Sequence, residues 1–419
     1  MSSNAACDPA GSDPLLTLDQ AQERLQAHLA PLTETERVGV RGREALGRVL
    51  AQDLVAPIAS PPFDNSAMDG YAVRSEDTVS PGVTRLAVIG TAWAGRPYAG
   101  TVGPGECVRI FTGAVIPMGA DAVVIQEAVA AGRDAIEVAG PIPSGAWVRA
   151  AGRDLAAGQC ALPAGKRLSA IDLGLIASMG IPRLAVLRRV RVGLLSTGDE
   201  LTPPGAALQP GAIYDSNRVA ISALLQPLPV VLSDLGVCPD DPETLRRTLH
   251  EASTWNDVIL TIGGASVGDA DHVVPTLREI GRINFWKIAM KPGKPFLHGR
   301  IGGCHVFGLP GNPASALVAC QQLVRPGLLR LAGALPEPPL RLPAVCVKAL
   351  RKSTDRMEFQ RGIYRLEPDG TLTVAAVGGQ DADRLAAFSA ANCFIVLPAE
   401  NRGTGVGDRV LIEPFTSTG

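Results

Sequence analysis

No stretch of the 419-residue chain approaches the roughly 20 uninterrupted apolar residues that a membrane helix requires, which excludes a helical span. The opening MSSNAACDPAGSDP lacks both the basic start and the apolar run of a signal peptide. It reads as a flexible tail over 1–15, and a cytoplasmic protein is expected. Cysteines stand at 7, 107, 160, 238, 304, 320, 346 and 393, with no C-x-x-C pair and no Cys/His group at zinc spacing, so they are expected to be ordinary reduced thiols. A formal net charge of -2 provides no broad basic field, which argues against duplex nucleic acid as a partner. A small anion needs only a local basic pocket. The dinucleotide pattern G-x-G-x-x-G is also absent.

What is present is a folded protein's balance of 46% hydrophobic and 19% charged residues, in a chain long enough for about three domains. Thr17, with Gln20 three residues later, predicts the start of a first helix over TLDQAQERLQAHLAPL. Helical character returns at SAIDLGLIASMG, where Ser169 can cap and Gly180 can terminate. Between them, short β-branched runs such as ECVRIFTGA and DAVVIQEAV alternate with Gly and Pro. This predicts a discontinuous helical domain over 16–57 and 150–188, with a small β domain inserted at 58–149. Strands and helices then alternate through 189–333, implying a mainly parallel sheet covered on both faces, with ligands beyond the strands' C-terminal ends. After the link ALPEPPLRLP, residues 334–419 read as a compact β barrel or sandwich.

Several turns of the α/β segment carry residues suited to an anion. In TIGGASVGDADH, Gly263, Gly264 and Gly268 permit close backbone approach and Ser266 adds a hydroxyl before a helix start, a setting for phosphate or another oxyanion. Asp269 occupies the position where a P-loop needs Lys, which argues against an ordinary nucleoside-triphosphate site. Asp271 is either a charge favourable to the helix dipole or a carboxylate sharing a cation with the phosphate, and hard oxygen ligands suit Mg²⁺. Asp199 and Glu200 in STGDEL, with Asp240 and Asp241 in CPDDPE, could complete such a site, although Asp241 before Pro242 also reads as a helix cap. In WKIAMKPGKPF, Lys287, Lys291 and Lys294 share a segment whose Pro and Gly forbid a regular helix. Each lysine gains about 4 kcal/mol, before desolvation, from an anion at about 4 Å and an effective dielectric of about 20, so together they could hold a dianion; a solvated surface turn is the alternative. Asn312 and Ser315 in GLPGNPASAL are substrate contacts or plain caps. Earlier, Asp64, Asn65, Ser66, Asp69 and Gly70 have turn composition, Thr112 follows a strand, and Asp154 lies in GRDL.

In order, FDNSAMDGYAVR, CVRIFTGAVIPMGADAVV, STGDEL, IYDSN, GGASVGDADH, FWKIAMKPGKPF, GLPGNPASA and NCFIVL resemble the molybdopterin molybdenumtransferase family of MoeA type, which includes the gephyrin E domain. The resemblance runs from about residue 15 to the end. It implies a multidomain α/β plus β fold: a central three-layer α/β/α domain with a mainly parallel sheet, a helical linker domain with an inserted small β domain, and a C-terminal β barrel. It implies an elongated homodimer whose active-site cleft receives residues from the partner's β domain. The implied reaction takes adenylylated molybdopterin and molybdate, with a divalent cation, and releases AMP as the dithiolene captures molybdenum. On matching positions, Ser266, Gly268, Lys291, Lys294, Pro295, Asn312, Ser315 and Arg361 would bind substrate, and Glu200, Asp240 and Asp271 would hold Mg²⁺. Asp69, Thr112, Asp154, Glu200, Asp271, Lys287 and Lys291 would be catalytic. Arg361 of EFQRG could instead be a surface residue. The adenylyltransferase of the preceding step and molybdoenzyme apoproteins are further possible partners.

This chain departs from the family pattern in Ala265 for Val, in Arg153 within Gly152–Asp154, and in Asp381 and Ala382 where Gly and Ser are usual. The last change removes a hydroxyl from the expected molybdate site. Two rival readings remain at this point: an adenylyltransferase acting on the pterin, whose fold resembles the α/β segment, and a peptide-binding scaffold.

Overall fold

The computed structural model describes residues 15–41, 44–78, 82–264, 271–352 and 355–415. Helix α1 (Leu18–His28) begins with the capping box read from the sequence. The Thr17 hydroxyl accepts the Gln20 N–H at 3.2 Å, and the Gln20 side chain accepts the Thr17 N–H at 3.0 Å. Its apolar face, Leu18, Ala21 and Leu25, packs into the core of the central domain. Strand β1 (Thr35–Gly39) follows.

The inserted segment forms one six-stranded sheet from β2 (Gly70–Val73), β3 (Val83–Ala92), β4 (Glu106–Ile110), β5 (Ala122–Ile125), β6 (Val129–Ala131) and β7 (Ala135–Ala139), in the order β5-β2-β4-β3-β7-β6. Side chains alternate across a strand. Accordingly Ala72, Val108 and Val123 enter one apolar cluster, while their neighbours Val73, Cys107 and Val124 enter another. The chain returns through α2 (Ala170–Ser178), capped by Ser169 and Asp172 in a second reciprocal box, and β8 (Arg183–Leu187), antiparallel to β1 with Thr35 opposite Leu187. One core joins Val38, Leu50 and Ala56 to Leu155, Leu162 and Ile176, so the segments before and after the insert close on each other.

The central domain runs β9 (Val190–Thr197), α3 (Ser216–Leu225), β10 (Val230–Cys238), α4 (Pro242–Ser253), β11 (Val258–Ile262), α5 (Val273–Ile280), β12 (Arg282–Trp286), β13 (Met290–Lys291), β14 (Leu297–Ile301), β15 (Cys304–Leu309), α6 (Pro313–Ala319) and α7 (Arg325–Leu331). The sheet order is β10-β9-β11-β15-β14-β12, with the first four strands parallel and the last two joined antiparallel. Leu194, Leu260 and Phe307 face α1, α3, α6 and α7, whereas Leu195, Ile259 and Val306 face α4 and α5. The three layers follow from that alternation.

Strands β16 (Leu342–Cys346), β17 (Met357–Leu366), β18 (Leu372–Ala376), β19 (Cys393–Leu397) and β20 (Arg409–Pro414) form the ring β17-β18-β16-β20-β19, closed by pairing of β17 with β19. This is a barrel, which settles the sequence alternative against a sandwich. The short β13 leaves the central domain and adds to it in parallel, Met290 opposite Met357 and Lys291 opposite Glu358.

Two histidines are buried in the central domain, with His298 Nε2 3.2 Å from His305 Nδ1 and Asn284 Nδ2 3.3 Å from His298 Nδ1. Burial, reinforced by neighbouring cationic groups, pushes His298 down to about 2 and His305 down to about 4. The folded protein therefore keeps the pair neutral while the unfolded chain takes up protons below its ordinary pKa of 6.5. Stability should be undiminished above about pH 6.5 and should fall as pH drops from there, toward about 4 for the part due to His305 and toward about 2 for the part due to His298. Urea midpoints measured from pH 7.5 to 4.5 should show this slope, reduced in His298→Phe; an equal slope in the variant would assign it to other groups.

Candidate active site

The parallel strands of the central domain deliver their C-terminal turns to one edge. Gly263 and Gly264, at the end of β11, have φ of +93° and +63°, which disfavours side chains there. Space imposes the same choice: a Cβ on Gly263 would lie 2.7 Å from the Thr197 carbonyl oxygen, and one on Gly264 would lie 2.7 Å from Val273 Cγ2 and 2.9 Å from Thr197 Oγ1. The glycines thus let β9, β11 and α5 converge. The Thr197 hydroxyl is buried at this point without a hydrogen-bond partner among the described residues. Asn217 Nδ2 donates to the Gly311 carbonyl at 2.6 Å, tying the start of α3 to the turn after β15.

The acids at this edge are held by backbone. Asp199 and Asp240 exchange bonds, the Asp240 N–H donating to Asp199 Oδ1 at 3.1 Å and the Asp199 N–H to Asp240 Oδ2 at 3.4 Å. The Glu200 carboxylate turns back over Gly198, where an added Cβ would meet Glu200 Oε2 at 2.4 Å. Asp241 accepts the Thr244 N–H at 2.8 Å and is the cap of α4, as its place before Pro242 suggested. Asp271 precedes His272, the residue at the cap position of α5. Among the described residues, no three His, Cys, Asp or Glu side chains are grouped to hold a metal ion. The expected trio of Glu200, Asp240 and Asp271 is therefore not gathered into a cage, because Glu200 folds back and Asp240 is engaged with Asp199. Ser266 and Gly268 lie outside the described residues.

The lysine turn lies between the central domain and the barrel. Lys287 has φ +69°, a left-handed conformation uncommon for a residue with a Cβ. It is held by the Lys287 N–H to the Phe296 carbonyl at 3.0 Å and by the Ile288 N–H to the Lys294 carbonyl at 2.9 Å. Lys287 Nζ rests 4.2 Å from the Trp286 ring centre. Gly293 packs on α6, where an added Cβ would be 2.7 Å from Met290 Cε and 3.4 Å from the Ser315 carbonyl oxygen. Lys291 forms an ion pair with Glu358 of β17 at 3.4 Å, and Gln360 Nε2 donates to the same Glu358 oxygen at 3.0 Å. The barrel thus sets a carboxylate of the protein beside one of the three lysines, a partner that the sequence reading did not name. Lys294 is exposed and Pro295 half-buried.

Neither Asn312 nor Ser315 is a side-chain cap of α6. Asn312 sits at the cap position without a cap bond and Ser315 is buried inside the helix, while the Ala314 N–H donates at 2.9 Å to the carbonyl of Ala382 from the barrel. That contact needs no side chain, so it survives the change to Ala at a usual Ser position. Arg361 is not a surface residue. It is 1% exposed, and its Nη2 donates to the carbonyls of Gly379 at 2.7 Å and Asp381 at 3.1 Å, which fixes the loop that reaches α6.

A second group assembles on the insert. Thr112 donates both its N–H and its hydroxyl to Asp69 Oδ1, each at 2.8 Å. These bonds, with Arg109 nearby, hold the Asp69 carboxyl below its ordinary pKa. Asp154 is exposed, and its N–H donates to the Ser60 carbonyl at 3.0 Å, bringing its loop against the segment that leads to Asp69.

Three family descriptions match in chain order: the MoeA N-terminal region, domains I and II, over 16–180; a "probable molybdopterin binding domain" over 193–330; and the MoeA C-terminal region, domain IV, over 343–415. A molybdopterin molybdenumtransferase of Haemophilus influenzae is 41% identical over 403 residues, covering 96% of this chain and 99% of the relative. The chain belongs to the MoeA family. Another relative, molybdopterin molybdenumtransferase 2 of Mycobacterium tuberculosis, is 35% identical over 384 residues, covering 89% of this chain and 94% of that one. A molybdopterin biosynthesis MoeA protein of Pyrococcus horikoshii is similar in structure, with TM-score 0.83, 28% identity, and coverage of 96% of this chain and 100% of that one.

Within this MoeA fold, sequence reasoning missed Glu358 and Thr197. The motif EFQRG carried a usable signal for the first, since a Glu alternating with apolar neighbours on a barrel strand must find a cation when buried. For Thr197 the signal was its place inside STGDEL, just before Gly198. Gly264→Ala should lower the thermal midpoint and impair ligand binding at the strand edge together. A variant with wild-type melting and binding would show that the convergence of β9, β11 and α5 tolerates a side chain.

Proposed function

We propose that the chain is a molybdopterin molybdenumtransferase of molybdenum cofactor biosynthesis: it inserts molybdenum from molybdate into adenylylated molybdopterin and releases AMP. One observation carries the reading. A turn bearing Lys287, Lys291 and Lys294 is clamped between the strand-end edge and the barrel, so a dianion can be held by fixed positive charge beside a bound pterin. The names of the relatives that match nearly end to end agree with it.

In this reading Lys291 and Lys294 hold molybdate, Lys287 and Pro295 shape the turn, and Asn312 borders the same edge. Ser315 and Arg361 act from beneath, the first packed under Gly293 and the second fixing the barrel loop. Ser266 and Gly268 would contact the phosphates. Glu200, Asp240 and Asp271 supply hard oxygens for Mg²⁺, which usually takes one or two carboxylates together with substrate phosphates and so needs no three-acid cage. When bound, the cation would neutralise phosphoanhydride charge as AMP departs. Asp69, Thr112 and Asp154 complete the cleft from the partner subunit of a homodimer, in the cytoplasm. Among the described residues no helix is long and apolar enough to cross a membrane. The preceding adenylyltransferase and recipient apoenzymes are partners of the same proposal.

Lys294→Ala should raise the KM for molybdate about tenfold, a loss of about 1.4 kcal/mol, with melting unchanged. Lys291→Ala should also lower the melting temperature, because it strands the buried Glu358, and adding Glu358→Gln should restore melting but not molybdate use. Wild-type molybdate use in both lysine variants would remove the assignment. Adenylylation of molybdopterin with MgATP would favour the adenylyltransferase, and absence of molybdate-dependent AMP release would favour a scaffold.

A further inference from the structure

The insert presents an aromatic surface near Asp69 that has no part in the proposed reaction. Trp93, at the end of β3, stacks on Phe111 with ring centres 4.0 Å apart and planes 9° apart. Trp93 nevertheless remains 50% exposed, a large hydrophobic ring left open to solvent. The pair is built in: the Phe111 N–H donates to the Ala92 carbonyl at 3.2 Å, and the Trp93 N–H and carbonyl bond the carbonyl and N–H of Arg96 at 3.0 and 2.9 Å. Arg109 lies 4.9 Å from the ring centres of both Phe111 and Tyr71 and donates to the Gly70 carbonyl at 3.2 Å. The residue after Phe111 is Thr112, whose two bonds both fall on Asp69 Oδ1. The other oxygen, Oδ2, accepts no bond among these.

We propose that Trp93, stacked on Phe111, and Asp69 together form a recognition subsite for the pterin ring of the substrate. The inference rests on the transferase reading and names the part of the substrate that the insert holds. A flat heteroaromatic ring gains stacking energy on an open indole whose other contacts are already fixed. The carboxylate selects which ring. A pterin offers adjacent N–H donors, at N3 and the 2-amino group, to a carboxylate oxygen that retains its lone pairs. Adenine presents one amino group flanked by ring acceptors, which a carboxylate repels. The insert therefore takes the pterin end, and the nucleotide end is left to the glycine-lined strand edge of the central domain.

The test titrates the intact protein with pterin-6-carboxylic acid and, separately, with AMP, by calorimetry. Wild type should bind both. Trp93→Leu should weaken pterin binding about tenfold and leave AMP binding unchanged, while Trp93→Phe, which keeps a stacking face, should stay within about threefold of wild type. Asp69→Asn should weaken the pterin probe alone, because its amide opposes the pterin donors. Wild-type pterin affinity in Trp93→Leu, loss of AMP rather than pterin affinity, or no pterin binding by wild type would each overturn the subsite. Molybdate-dependent AMP release by wild type is measured in parallel. Turnover by wild type with unchanged pterin binding in Trp93→Leu overturns the subsite alone, whereas no turnover with weakened binding in Trp93→Leu overturns the transferase reading and supports the subsite.

Discussion

A two-residue strand governs the geometry of the site. By pairing β13 with β17, the chain sets the lysine turn of the central domain into the seam of the barrel and places Lys291 opposite Glu358. The Glu358 side chain is 3% exposed and has one oxygen, Oε2, buried without a hydrogen-bond partner among the described residues. An isolated carboxylate so placed would be expensive, so the lysine is needed by the fold as well as by the proposed chemistry. Removing one partner of a fully buried pair costs about 3–5 kcal/mol. The cost here is smaller, since Lys291 keeps 31% of its side-chain surface exposed. The second clasp is the Ala382 carbonyl on the Ala314 N–H, supported by Arg361 within the barrel. The turn therefore touches sheet, helix and barrel at once, and a group held there cannot drift with any single element.

That clasp explains why a substitution at a familiar Ser position is tolerable. The contact that orients the barrel loop against α6 is made by backbone, and Ala382 leaves it in place. Under the proposed function, Ala382 offers the oxyanion no hydroxyl, and the lysines would carry its binding. The insert divides the work differently. Its Asp69 and Thr112 are locked to each other, and its aromatic pair stands beside them, a rigid surface suited to one end of a long substrate.

Much of this was legible in the sequence where the signal was local. The capping box at Thr17 and Gln20, the alternation that makes three layers from 189 onward, and the glycine pair after β11 each follow from spacing within a few residues. The pairing of Asp69 with Thr112 was not legible, because turn composition explains each alone. Glu358 and Lys291 find each other only through the seam between two domains, and Arg361 reads as surface until the barrel closes around it. Sequence placed the acids Glu200 and Asp240 at strand ends, yet not their orientation, which depends on backbone amides across neighbouring loops. Helix α1 shows the same limit: its start is written locally, while the core it joins is set by distant strands.

The position of bound molybdate is decisive. Crystals soaked in molybdate, with data collected on both sides of the molybdenum absorption edge, locate the metal without any assumption about mechanism. The expected anomalous peak belongs to an oxyanion within about 4 Å of the Nζ atoms of Lys291 and Lys294, at the seam between the central domain and the barrel. A peak at another place on the chain, with the lysine turn empty at saturating molybdate, would contradict that placement.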